Sequence, residues 1–178
     1  MKGAALGALV LLAGLSLAQQ ADYRMEARAA LALSQLERVA GLAGGEEKLL
    51  AWAKEVKARA EKSHEAKAYF KVLREAQAAL LLYRAAQGEP KLKARPQARM
   101  GFHHGFGPKG WGGKGVDLRA RAQAVSDRAE KELAYYRGQD PLVKDLVAEA
   151  KNRLEKEPGR AWMLARAALA LISAERGF

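Results

Sequence analysis

The chain has 178 residues, a formal net charge of +11 and no cysteine. That length suffices for one ordinary domain or two small ones with a real core. The missing cysteines exclude disulfides, thiol catalysis and iron–sulfur ligation, and the basic balance favours anionic partners.

The first residues read as an export signal. Lys2 supplies a single positive charge, and residues 3–17 are uncharged and rich in Ala, Leu and Val. Ser16-Leu17-Ala18 then places small residues three back and one back from a cut before Gln19. A basic start, an apolar run and a small-x-small site together describe a cleavable secretory leader. The run is shorter than the roughly 20 apolar residues a spanning helix needs, so no transmembrane helix is expected in the mature chain. The expected location is the periplasm or the extracellular space.

Beyond the leader the residue choices are those of helices. Thr is absent, Ile occurs only at Ile172 and Asn only at Asn152, while Ala, Leu, Glu, Lys, Arg and Gln dominate. These are the strong helix formers. Few thermolabile residues with many Arg and Glu also make the composition thermophile-like. An all-α fold is expected.

Six segments follow in chain order. The first runs from Asp22 to about Ala43, with Tyr23, Ala27, Ala30, Leu31, Ser34, Val39 and Leu42 near helical spacing, and stops at Gly44-Gly45. The second opens on Glu46-Glu47 and carries Leu49, Trp52, Ala53, Val56 and Ala60. Ser63 is placed to cap a third, with Tyr69, Phe70, Leu73, Ala76, Leu80 and Tyr83, ending at Gly88. One long helix through Ser63 is the alternative. Asp117 is placed to cap the fourth, which carries Leu118, Val125, Ala129, Leu133 and Tyr136. Asp140-Pro141 opens the fifth, with Pro at the first helical position, and Pro158-Gly159 breaks it. The sixth carries Trp162, Ala165, Leu169 and Ile172 and stops at Gly177.

The halves align. At a shift of 94, Leu31 falls on Val125, Leu49 on Val143, Glu55 on Glu149 and Arg59 on Arg153. In the last segment the shift is 89, and Ala78-Ala79-Leu80 meets Ala167-Ala168-Leu169. The pattern is that of a duplicated three-helix unit whose halves share one core, as a helical bundle or a short helical-hairpin stack. The expected organisation is a leader over 1–18, a first helical unit over 19–88, an insert over 89–115 and a second unit over 116–178.

The insert is different material. Lys91, Lys93, Arg95, Arg99, Lys109 and Lys114 stand against Glu89 alone, among many glycines. Regular structure is not expected. Three readings compete: a disordered linker, a polyanion-binding arm and a metal-binding arm. In the second, those cations attract phosphate or carboxylate while Phe102, Phe106 and Trp111 stack on bases or sugar rings. In the third, His103 and His104 ligate a transition metal; otherwise no cofactor is expected.

No catalytic set is expected. Gly105, Gly107 and Gly110 match a dinucleotide-binding spacing but follow no strand. His64-Glu65 begins a zinc-protease motif that Ala68 ends. Asp22, Asp117 and Asp140 sit where caps are wanted, Glu37, Glu55, Glu130 and Glu149 fall on solvated ion-paired faces, and Trp52 and Trp162 are expected in the core. The preferred function is a non-enzymatic envelope protein binding an anionic polymer (nucleic acid or a cell-envelope polymer) or a partner protein. The alternatives are a metal-handling or stress-protection protein and a structural subunit that forms homo-oligomers.

Overall fold

The computed structural model describes residues 4–89, 117–136 and 138–177, and among them six α-helices and no strand occur. They are α1 (Ala4–Gly41), α2 (Glu47–Glu65), α3 (Tyr69–Gln87), α4 (Leu118–Tyr135), α5 (Pro141–Arg153) and α6 (Pro158–Arg176). The protein is an all-helical bundle. α1 and α2 both pack on α3, α4 and α5 both pack on α6, and α3 packs against α6 at the centre.

The two central helices bury many alanines: Ala76, Ala78 and Ala79 on α3 and Ala165, Ala167 and Ala168 on α6 are fully buried. Larger side chains close the core on either side. Leu36, Leu49, Val56, Leu82 and Tyr83 belong to one cluster with Leu142, Val143, Leu146, Leu164 and Leu171. Each such side chain contributes about 1.5–3 kcal/mol by leaving water.

Several helix ends form as their residues dictate. Asp117 accepts from the Arg119 and Ala120 amides at 3.0 and 3.2 Å, and Asp140 accepts from the Leu142 amide at 3.0 Å ahead of Pro141. Gly177 ends α6 in the left-handed conformation.

Four expectations are corrected. Ser63 does not cap α3; it lies inside α2 and is buried. The chain reverses four residues later, where Lys67 takes a φ of 57° and the Ala68 amide donates to the Ser63 carbonyl at 2.9 Å. α2 and α3 are therefore separate helices. Pro158 and Gly159 open α6 rather than ending α5. Tyr23, Leu31, Leu42 and Tyr136 are exposed, Leu42 by 85 %. The face α1 buries is set by Ala29 and Leu36, fully buried, with Ala32, Leu33, Val39, Ala40 and Ala43 beside them, a stripe at steps of three and four. Trp52 and Trp162 are half-buried at the edge of the core, with Lys48 and Arg166 over their rings.

Two ion-pair clusters tie the halves together. Arg59 of α2 grips Asp140, at the start of α5, with both terminal nitrogens, and bonds Glu55 one turn back at 2.6 Å. Arg153 of α5 grips Glu46, at the start of α2, with both terminal nitrogens, and bonds Glu149 one turn back at 2.6 Å. Each half reaches to the first helical turn of the other's hairpin.

Candidate anion-binding groove

The polyanion-binding residues expected in the insert (Lys91, Lys93, Arg95, Arg99, Phe102, Phe106, Lys109, Trp111 and Lys114) lie outside the described residues. So do the expected metal ligands His103 and His104. Among the described residues, no three His, Cys, Asp or Glu side chains are grouped so as to hold a metal ion. Glu89, read as part of the insert, has a structural role. Its carboxylate accepts from the Gly159 and Arg160 amides at 2.6 and 3.0 Å, so it caps α6 from outside that helix.

A concentration of positive charge appears instead on the bundle itself. A cleft of about 360 Å³ between α3, α4 and α6 is lined by Arg74, Arg128, Arg166 and Arg176, with Gln77 and Ser173. The carboxylate among its lining residues is Glu132. Arg128 bonds Glu132 at 2.7 Å, and Arg176 stands 3.8 Å from it. Arg74 and Arg166 make no ion pair among the described residues; Arg74 bonds the Gln77 side chain at 3.4 Å.

Aromatic rings hold these guanidinium groups. Arg74 lies 5.1 Å from the Phe70 ring centre, Arg166 5.0 Å from Trp162 and Arg176 3.7 Å from Tyr136. A guanidinium stacked through its face keeps its N–H donors in the plane, directed outward. Such groups are positioned before a ligand arrives, so fewer rotamers are lost on binding.

A second cleft of about 320 Å³ adjoins the first, sharing Gln77 and Arg166 with it. Its walls are apolar: Ala32 of α1, Leu73, Leu80 and Leu81 of α3, and Trp162 of α6, with Arg84 beside them. The two form one groove over the α3–α6 seam, cationic toward α4 and apolar toward α1. No helix among the described residues is long and apolar enough to cross a membrane.

Sequence reading missed this groove because its arginines come from three helices. Each, taken on its own helix, looks like one charge on a solvated face. One signal was available: at the shift of 89, Gln77 falls on Arg166, so the groove centre lies where the two halves meet. In comparisons with protein-family models, curated proteins and solved structures, none matches the chain.

Proposed function

We propose that this is a non-enzymatic, exported helical protein that binds an anionic polymer along the α3–α4–α6 groove. The observation that carries the reading is that, among the described residues, four arginines line one cleft with one carboxylate, Glu132. Phosphate, sulfate or uronate groups spaced along a polymer would take the in-plane donors of Arg74 and Arg166, which make no ion pair among the described residues, while Trp162 and the apolar walls would receive a ring. The basic insert follows Glu89 in the sequence, and Glu89 sits at the start of α6; the insert would add its cations to the same ligand.

The test is fluorescence anisotropy with a labelled single-stranded oligonucleotide, with inorganic polyphosphate and polygalacturonate as competitors. Affinity should fall steeply with salt, and Arg74→Ala/Arg166→Ala should flatten that slope. Deleting 90–115, which keeps the Glu89 cap, should flatten it further. If both variants bind with unchanged affinity and slope, the proposal is wrong.

We infer that the bundle is an internal duplication. Support comes from the burial pattern. Val72, Glu75, Ala76, Ala78, Ala79, Leu82, Tyr83 and Ala85 of α3 are buried, and so is each residue 89 further on in α6. Leu49, Ala53, Val56 and Ala60 are matched likewise at 94. In the first helix the match comes at 93, with Ala29 and Leu36 corresponding to Ala122 and Ala129. The reciprocal grips of Arg59 on Asp140 and Arg153 on Glu46, also 94 apart, are what a two-fold relation produces. Export would remove residues 1–18 from α1, which runs continuously across the expected cut. Intact-mass measurement of protein recovered from the envelope should find Gln19 at the N-terminus; Met1 there would rule out cleavage.

A further inference from the structure

A cavity of about 310 Å³ lies between α2, α3, α6 and the start of α5, away from the arginine groove and sharing no residue with it. Glu75 lines it, and that residue is only 3 % exposed. Among the described residues its Oε2 has no hydrogen-bond partner, and its other oxygen is 3.8 Å from the Lys71 ammonium. A buried carboxyl so weakly compensated costs stability. Burial pushes the Glu75 carboxyl above its usual range, against a hydrogen bond from Ser63 and the charges of Lys71 and Arg59. Glu175, on the same wall and exposed, is pushed up by partial desolvation and by the charge of Asp140.

The fold does not demand these acids. At the shift of 89, Glu75 corresponds to Leu164, which is fully buried, and Glu175 to Ala86. Lys71 corresponds to Arg160, whose guanidinium bonds the Ala85 and Ala86 carbonyls at 2.8 and 3.3 Å and Glu157 at 2.8 Å. One half thus builds this corner from a leucine and a saturated arginine. The other builds it from a buried carboxyl and a loosely held lysine around a cavity.

The charges decide what would enter. Arg59 and Asp140 satisfy each other through two bonds. That leaves two ammonium groups, Lys62 and Lys71, and two carboxyls, Glu75 and Glu175, on the walls. A polyamine would meet both lysines, and a polyanion both acids. We propose that this cavity binds a small zwitterion, an amino acid or short peptide, whose ammonium is taken by Glu75 and Glu175 and whose carboxylate is taken by Lys62 and Lys71. The ligand ammonium supplies the positive charge the two carboxyls lack.

Calorimetry on the full chain tests this, using the free amino acids, alanyl-alanine, their carboxamide forms and spermidine as probes. At least one zwitterion should bind, and its carboxamide should bind about tenfold or more weakly, as expected for losing a charge-assisted contact. Glu75→Leu, which copies the residue in the other half, should abolish binding with the melting temperature kept or raised. Glu175→Gln, at an exposed residue, should weaken it by about tenfold and decides the matter if Glu75→Leu fails to fold. No heat from any zwitterion, spermidine binding tighter than all of them, or unchanged affinity in the folded variants would overturn the proposal. Oligonucleotide binding should be untouched in both variants, which separates this site from the groove.

Discussion

The reciprocal grips of Arg59 and Arg153 predict that two ion pairs of matched design couple the halves more strongly than surface pairs do. Arg153 bonds Glu46, Glu149 and Glu157 at once with its side chain 16 % exposed, and Asp140, gripped by Arg59, is 8 % exposed. A solvated pair contributes about 0.2–1 kcal/mol, and a bond to a charged group out of water about 1.5–3 kcal/mol. Partly screened, each cross-half pair should couple by about 1–2 kcal/mol. Removing Arg153 altogether leaves Glu149 to Lys48, and Glu46 and Glu157 to Arg160, and should cost about 1–2 kcal/mol, or about 2–8 °C in melting temperature for a chain of this size. The assay is urea unfolding followed by circular dichroism in two double-mutant cycles, Arg59→Met with Asp140→Asn and Arg153→Met with Glu46→Gln. Asn still caps a helix, so the first cycle isolates the pair from the cap. Arg119–Glu155, with both side chains more than half exposed, is the control. If either cross-half cycle couples no more strongly than the control, the reciprocal pairs are incidental surface contacts and the reasoning fails.

Three further outcomes follow from particular residues. Gly45→Ala should destabilise by about 1–3 kcal/mol or more, read from urea midpoints, because Gly45 has a φ of 125° and a Cβ there would overlap the Ala86 carbonyl; a neutral result would contradict that packing. Glu89→Ala should cost about 0.5–2 kcal/mol by removing the cap on α6, and Glu89→Gln should recover part of it; equal loss in both would assign the effect to charge alone. Glu75 has a carboxyl raised above its ordinary 4.5 by burial, so the folded state holds its proton longer than the unfolded state does. Stability from this group should therefore fall as pH rises from about 4.5 through the elevated folded value, and Glu75→Gln should flatten that part of a plot of melting temperature against pH.

How much was legible in the sequence depended on whether a feature is local. Helix formers, glycine stops and the caps Asp117 and Asp140 act within a few residues, so the six helices could be read. The reversal between α2 and α3 was expected at Ser63, four residues early, because it rests on Lys67 adopting a left-handed turn that no Gly or Pro signals. The face of α1 was misread because Leu31 and Leu42 are more apolar than the alanines that α3 accepts; the packing partner, not hydrophobicity, selected Ala29 and Leu36. The groove and the Glu75 cavity were invisible for a further reason. Both are built where helices distant in sequence meet, and Glu75 reads from its neighbours as one more charge on a helix.

If the halves descend from one unit, shared features report what the fold needs and divergent ones what was added. The reciprocal grips and the buried alanines of α3 and α6 are shared. Glu75 is not, since Leu164 holds the equivalent place. That asymmetry can be tested by transposition. Glu75→Leu removes a poorly compensated buried carboxyl and should be neutral or stabilising by about 1–2 kcal/mol. Leu164→Glu puts one into a fully buried leucine site, where the residue corresponding to Lys71 is Arg160, already engaged with two carbonyls and Glu157. It should cost about 4 kcal/mol or more. Equal losses would mean that the carboxyl at 75 is built into the packing of its half, and the asymmetry would then carry no functional meaning. Opposite signs would mean that the protein keeps Glu75 against its own stability, which is what a ligand would explain.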